Sequence, residues 1–343
     1  MLLSFACQPY LASSIRPAAA AFAAWFAVCA AGSAQPRPAP ASGAGPALCN
    51  PTDIAVFKGC YVAAEVTKNR LAIFDDLSLS NLRHFDPVSI GKEFHGPHYL
   101  SLSPWGSLLI SDGWGSSVIE ITDLDGSGWK SFDGVDRRFN APHGVCADTN
   151  GWVYVADSLN SRIVRFRDMD GKDWQVFPDP TRKVAYVREL AFAEGALWAA
   201  NSYENKPGSP PGRGGNVLLI RDFESGPAEE IAAVPESNLT AIMPLGGRRA
   251  LIGLWGGFEV LALADADTAG IKVMHGSRAE LGAPYGMFAD PLSDRLLVCC
   301  LGSLDDKGAA NAGGIAVYEG GRLVPLPLAP VRQGRAPGLA GAP

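Results

Sequence analysis

Charged residues are scarce in this chain, and the short motifs that mark common catalytic sites are absent. Lys, Arg, Asp and Glu make up 19% of the 343 residues, and 35 acidic against 29 basic residues give a net charge of −6. A chain of this charge does not attract a polyanion, so a nucleic acid is not an expected partner. There is no Gly-x-Ser-x-Gly elbow, phosphate loop, dinucleotide fingerprint or Cys-x-x-Cys pair. These absences argue against serine hydrolases of the elbow type, nucleotide-binding enzymes and Cys-x-x-Cys metal sites.

The first 34 residues have the order of a secretory signal peptide. Arg16 precedes an apolar run, Ala18 to Ala31, and the small residues 32–34 follow. This order predicts a signal peptide over 1–34, a Pro, Ala and Gly-rich linker over 35–48, and a secreted or periplasmic protein. The alternative is an uncleaved anchor, which would make the membrane a partner.

Five cysteines follow the leader. Cys49 and Cys60 flank the first predicted strand, and in an exported protein this spacing predicts a disulfide between them. The alternative is that a cysteine such as Cys60 packs as a small apolar side chain.

An internal repeat of about 46 residues organises the rest of the chain. The segment Pro142 to Asp148 is followed by a turn and by Trp152 to Asp157, and the same order recurs from Pro97. Equivalent positions fall at 52, 98, 143, 189, 238 and 285. A repeat of this length means that each unit packs against its neighbours.

Each unit contains short stretches rich in Val, Ile, Leu and aromatic residues, separated by Gly, Asn and Asp turns, without a helical period. Four strands in 40–50 residues correspond to one propeller blade. We therefore predict an all-β, six-bladed β-propeller over 49–328 and a disordered tail over 329–343. The Asp-rich turns at 123–129 and 168–174 fit tight hairpins, with calcium binding as the alternative.

Residues Phe139 to Phe166, with the segments Ala-Pro-His-Gly-Val, Val-Tyr-Val-Ala-Asp-Ser and Ser-Arg-Ile-Val-Arg-Phe, resemble the NHL-type repeat. The resemblance extends over about residues 50–326. It implies a six-bladed propeller of the NHL/TolB-like kind. It does not fix a function, because such propellers serve as binding platforms and as lyases or lactonases.

The starts of the first strands and the ends of the second strands lie on one face of a propeller, near its central channel. Polar side chains at these positions are the candidate ligand-binding residues: His98, His143, Arg188, Glu189, Tyr285, Asp112 and Asp157. Structural alternatives exist for each kind. A histidine there can bond a backbone group, an aspartate can cap a turn, and Arg188 can pair with Glu189 instead of gripping an anion.

His98, His143 and Glu189 also form a candidate metal set with an open position, suited to a divalent ion such as zinc. Its Pro-His segments resemble the zinc histidines of peptide α-amidating lyase, although only two occur here, on adjacent units. Three functions stay open: a propeller that binds a small molecule, glycan or peptide at the channel face; a metal-dependent lyase, hydrolase or lactonase; and an interaction module that uses the outer blade edges.

Overall fold

The computed structural model of the chain describes residues 48–202, 214–234, 238–254, 259–263, 272–275, 283–301, 313–319 and 322–325. The predicted signal peptide over 1–34, all but the last residue of the linker and the predicted tail lie outside these residues. Among the described residues, no helix is long and apolar enough to span a membrane.

The described residues form strands and three short 3-10 turns at Val66–Lys68, Pro87–Ile90 and Ser158–Asn160. The strands of sheets 1 and 2 are β1 (Pro51–Phe57), β2 (Cys60–Glu65), β3 (Arg70–Phe74), β4 (Arg83–Phe85), β5 (Pro97–Leu102), β6 (Leu108–Asp112), β7 (Ser117–Ile121) and β8 (Lys130–Phe132). Those of sheets 3 and 4 are β9 (Pro142–Ala147), β10 (Val153–Asp157), β11 (Arg162–Phe166), β12 (Gln175–Val176), β13 (Tyr186–Ala193), β14 (Ala196–Ser202), β15 (Gly215–Ile220) and β16 (Glu229–Val234). Those of sheets 5 and 6 are β17 (Leu239–Gly246), β18 (Arg249–Leu254), β19 (Glu259–Leu263), β20 (Lys272–His275), β21 (Ala283–Asp290), β22 (Arg295–Leu301), β23 (Gly314–Glu319) and β24 (Arg322–Pro325).

Each sheet contains four consecutive strands in antiparallel order, so no described strand is exchanged between sheets. The first strands β1, β5, β9, β13, β17 and β21 contact one another in sequence order, and β21 contacts β1. These first strands are therefore innermost. The fourth strands lie outermost, and charged residues such as Arg83 and Lys130 are exposed on them, as expected for strands that must not pair with another chain. The prediction of an all-β propeller is confirmed.

Apolar side chains between successive sheets hold the structure together. One cluster joins sheet 3 to sheet 4 through residues such as Tyr154 and Leu218, and others occupy the remaining interfaces. The cluster between sheets 6 and 1 contains Phe74, Leu297 and also Leu48, which precedes β1. Tyr61 of β2 donates a hydrogen bond to Asp290 of β21 at 2.7 Å. The last sheet is thus attached to the first by side-chain packing.

The predicted Cys49–Cys60 disulfide is wrong, and both cysteines are free. Cys60 pairs with Phe57 at the far end of β1, whereas Cys49 lies before Pro51 at its near end. The six-residue step from Pro51 to Phe57 alone spans about 20 Å, and a disulfide needs Cα atoms within about 7 Å. Cys60 instead contacts Asp75 and Arg83 through its sulfur.

The Asp-rich turns are hairpin turns closed by their own backbone. Gly126 and Gly171 have φ values of +82° and +77° and donate to the carbonyls of Asp123 and Asp168. The Asp168 carboxylate accepts the N–H of Asp170 at 3.0 Å. These contacts account for the aspartates as turn residues, and nothing in them requires calcium.

Candidate functional site

Each innermost strand contains a shift in its pairing with the second strand, close to its first residue. In β5, Pro97 pairs with Asp112 and Tyr99 with Ser111, so His98 is an extra residue. A bulge of this kind re-aims the side chain that it carries. The residues at the equivalent position of the six sheets are Thr52, His98, His143, Arg188, Thr240 and Tyr285.

Four of these bulge residues converge on the axis from different sheets, and we call His98, His143, Arg188 and Tyr285 the axial cluster. The ring centroids of His98 and His143 are 4.8 Å apart, and those of His98 and Tyr285 are 6.2 Å apart. Arg188 Nη1 lies 3.1 Å from His143 Nε2 and donates to Tyr285 Oη at 3.0 Å. Four predicted ligand-binding residues are therefore brought together.

The hydrogen bonds of the two histidines define their neutral tautomers. Nδ1 of His143 faces the carbonyl of Ala141 at 2.8 Å, so it carries the proton, and Nε2 accepts from Arg188. Nδ1 of His98 faces the carbonyl of Gly96 at 2.5 Å and is likewise a donor. Burial lowers the pKa of His98 to about 4 and lowers that of His143 well below its ordinary value, and the Arg188 charge lowers both further. Both imidazoles are neutral at pH 7.

Arg188 is the cation of the axial cluster. Burial acts to lower its pKa, but the hydroxyls of Tyr285, Tyr186 and Tyr99 outweigh burial, and the pKa is raised. Nη1 makes the hydrogen bonds described above, whereas Nε is buried without a partner among the described residues. No described carboxylate forms an ion pair with this guanidinium. The cluster therefore carries one partly buried positive charge that no described carboxylate neutralises.

Glu189 does not belong to the axial cluster, contrary to the predicted metal set. Its carboxylate accepts the backbone N–H of Ile242 on the next sheet at 2.6 Å, and it forms no ion pair with Arg188. Burial, and then the nearby Asp53, raise its pKa well above the ordinary value. The described residues contain no group of three His, Cys, Asp or Glu side chains that could hold a metal ion. The predicted set of His98, His143 and Glu189 is thus not assembled.

Asp112 and Asp157 cap the segment that leads into the first strand of their own sheet. Asp112 accepts the N–H of His95 at 2.7 Å, and Asp157 accepts the N–H of Asn140 at 2.7 Å. Asn201 makes the same contact with Ala185 at 2.8 Å. The capping alternative therefore accounts for both aspartates, and neither contacts the axial cluster.

Two aromatic residues near the axial cluster were not predicted from the sequence. Trp114, 61% exposed, lies with its ring 5.5 Å from that of His98, edge to face. Tyr186 lies below the Arg188 guanidinium at 4.7 Å. A tryptophan in the turn between the second and third strands was the available signal, because that turn lies on the face where the first strands begin.

Comparisons with known proteins support the fold. The model of the NHL repeat matches residues 139–166. Virginiamycin B lyase from Staphylococcus aureus is similar in structure, with 18% identity, coverage of 79% of this chain and 84% of that chain, and a TM-score of 0.51. A gluconolactonase from Xanthomonas campestris has 14% identity, coverage of 74% and 84%, and a TM-score of 0.55.

A third similar structure is the PQQ-bound form of aldose sugar dehydrogenase from Streptomyces coelicolor, with 13% identity, coverage of 80% and 96%, and a TM-score of 0.57. A search of curated proteins finds no match. At these identities the similarity establishes the fold and leaves the function open. The chain is a β-propeller protein that carries the NHL repeat.

Proposed function

We propose that the chain is a six-bladed, exported propeller that binds a small organic anion, such as a carboxylate, at the axial cluster. The six four-stranded sheets and the packing of the last against the first support the blade number. The chemistry follows from one observation: Arg188 is a partly buried cation, and its partners in the cluster, His143 and Tyr285, are neutral.

A buried charge is costly unless an opposite charge or several hydrogen bonds compensate it. The Nη1 atom of Arg188 has two neutral partners, and Nε has none among the described residues. A carboxylate placed against the Nε edge would supply the missing charge and accept hydrogen bonds in the geometry that a guanidinium prefers. Trp114, mostly exposed beside His98, would give the rest of the ligand an apolar surface.

The experiment is a calorimetric titration with two matched pairs of probes, benzoate against benzamide and glucuronate against glucose. We expect saturable binding of an anionic member and at least tenfold weaker binding of its neutral counterpart. Arg188→Gln should weaken anion binding at least tenfold. Arg188→Lys should keep part of the anion affinity, because lysine keeps the charge but lacks the two parallel N–H donors of the guanidinium. Equal affinity for anionic and neutral probes, or full affinity in Arg188→Gln, would overturn the proposal.

The metal-dependent enzyme is the alternative, and the Arg188 charge opposes it. A divalent cation bound by His98 and His143 would lie beside a guanidinium that already bonds His143 Nε2 at 3.1 Å. Elemental analysis of chelator-free protein tests this alternative. A stoichiometric ion that disappears in the His98→Asn, His143→Asn double variant would replace the anion proposal.

Export is proposed from the leader over 1–34. The mature protein should begin near Gln35, which N-terminal sequencing of material from the producing cells measures. A full-length protein in the membrane fraction would favour the anchor instead.

A further inference from the structure

In sheets 2 and 3 an aspartate at the end of the second strand caps the segment before the first strand, but the residues around the two aspartates differ. Asp112 and Asp157 end the second strands of the two sheets, 45 residues apart, and cap His95 and Asn140, which are also 45 residues apart. Asp112 is 2% exposed, and Asp157 is fully buried. The two carboxylates are therefore equivalent in position and in their backbone contact.

In sheet 3 a buried guanidinium neutralises the carboxylate. Arg162, the first residue of β11, donates from Nε to Asp157 at 2.6 Å, and Asn160 donates from its amide at 2.8 Å. Arg162 is 7% exposed and also pairs with Asp136 at 2.7 Å. Side chains of the protein itself thus neutralise the charge of Asp157 and donate hydrogen bonds to it.

In sheet 2 the equivalent residues carry no charge. Gly115 stands 45 residues before Asn160, and Ser117 stands 45 residues before Arg162. Asp112 forms no ion pair with any described residue, and its two oxygens share the single N–H of His95. The space that the larger side chains fill in sheet 3 is open in sheet 2.

That space is a pocket of about 410 Å³ with the Asp112 carboxylate in its wall. Gly115 and Ser117 line it, together with His95, Asp133 and Arg138. Position 115 accepts only glycine beside this carboxylate, because a Cβ there would fall 2.1 Å from the Asp112 Oδ2. The pocket is therefore formed by the same substitutions that remove the counter-ion.

We propose that this pocket binds a small organic cation, with a guanidinium or primary ammonium group, in the place that Arg162 occupies in sheet 3. The site shares no residue with the axial cluster and does not depend on the anion proposal. A guanidinium would meet the carboxylate as a charge-assisted pair, while the volume of the pocket leaves room for the rest of a small molecule.

The other charged groups of the pocket do not replace this cation. Arg138 pairs with Asp133 at 3.5 Å, and His95 lies 3.4 Å from Glu93. Lys92 also lines the pocket, and no ion pair joins it to Asp112. Burial raises the pKa of Asp112 to about 6, so the carboxylate is ionised at pH 7.5.

The test is a titration of the protein with methylguanidinium at pH 7.5, followed by calorimetry or ligand-observed NMR. We expect saturable binding in the millimolar range, since the probe has few atoms. Asp112→Asn should weaken it at least tenfold. Ser117→Arg should abolish it and raise the melting temperature, because the new side chain would pair with Asp112 as Arg162 pairs with Asp157. Affinity should also fall as the pH drops below about 6.

Thr181→Arg is the matched control, since it adds the same charge at an exposed position outside the pocket. It should leave methylguanidinium binding unchanged. Absence of saturable binding to the wild type would overturn the proposal, and so would wild-type affinity in Ser117→Arg. The Ser117 variant keeps the test decisive if Asp112→Asn does not fold.

Discussion

Neighbouring positions of the inner strands differ inside this propeller: one set contains a guanidinium, and the next contains carboxyl groups with raised pKa values. The axial cluster contains the Arg188 cation with neutral histidines and a tyrosine. One residue further along the strands are the carboxyl groups of Asp53 and Glu189, which we call the carboxyl pair, and Asp53 contributes to the raised pKa of Glu189. The Nε of the cation has no partner among the described residues, whereas each carboxyl group accepts a hydrogen bond from the backbone of the next sheet.

The contacts of the carboxyl pair explain why it is structural. Asp53 accepts the N–H of Leu100 on sheet 2 at 2.8 Å and that of Ile54 at 2.9 Å. Glu189 accepts the N–H of Ile242 on sheet 5. Both side chains therefore join adjacent sheets near the axis. The comparison teaches that the bulge residue faces the axis, where we propose that a ligand binds, and that the residue after it joins neighbouring sheets.

The largest expected effect is a difference in the free energy of unfolding between variants of Asp53 and of its neighbour Thr52. Asp53→Ala leaves the buried N–H groups of Ile54 and Leu100 without acceptors, which should lower the free energy of unfolding by about 2–4 kcal/mol. Thr52→Val removes a hydroxyl whose contacts with carbonyls are long, 3.3 and 3.4 Å, and should cost less than about 1 kcal/mol.

Denaturant unfolding at about pH 4, near the pKa of about 3.9 in the unfolded chain, measures both variants. At this pH Asp53 is protonated in the folded protein and about half protonated in the unfolded chain, so the loss in Asp53→Ala reports mainly hydrogen bonding. An Asp53→Ala protein as stable as Thr52→Val would contradict the structural role of the carboxyl pair.

The second effect is the pH dependence of stability. Burial raises the pKa of Asp53 to about 7, above the value of about 3.9 in an unfolded chain, and it raises that of Glu189 in the same direction. The folded protein therefore holds protons that the unfolded chain has lost, and stability falls as the pH rises from about 4 through 7.

Glu189→Gln sharpens this comparison, because the amide can still accept from Ile242 but does not ionise. We expect the unfolding free energy of the variant to exceed that of the wild type by an amount that grows as the pH rises from about 4 to 8. Chemical unfolding across this pH range measures the difference. Parallel pH profiles for the two proteins would show that the pKa of the Glu189 carboxyl is the same in the folded protein and in the unfolded chain.

Much of the fold was predictable because a propeller repeats its sequence pattern. The equivalent segments starting at Pro97 and Pro142 gave both the strand order and the location of the site, and β5 and β9 begin at these residues. The prediction of a Cys49–Cys60 disulfide was wrong because it considered only the separation in sequence. It did not consider the length of β1, which lies between the two residues.

The site was predicted less well because a bulge adds one residue to a strand. The alternation of inward-facing and outward-facing residues in the sequence does not show where that residue lies. Glu189 was chosen as the equivalent of His143, yet Arg188, 45 residues after His143, occupies the bulge position of β13. A one-residue error exchanges a guanidinium for a carboxyl group, and this is why the sequence predicted a metal site where we now propose an anion site. The contacts of His143 also depend on Tyr285, which is 142 residues away in the sequence and becomes a neighbour only in the closed ring.

The smallest predicted effect concerns the axial cluster and the stability of the protein at acidic pH. Burial lowers the pKa of His98 to about 4 from about 6.5, so its contribution to stability is present above pH 6.5 and is lost as the pH falls toward 4. His98→Asn keeps a donor for the carbonyl of Gly96 but does not titrate. We expect this variant to lose about 1 kcal/mol less than the wild type between pH 7 and pH 5.5. Equal losses of stability in the two proteins would mean that His98 takes up a proton in the folded state, which the positive charge of Arg188 opposes.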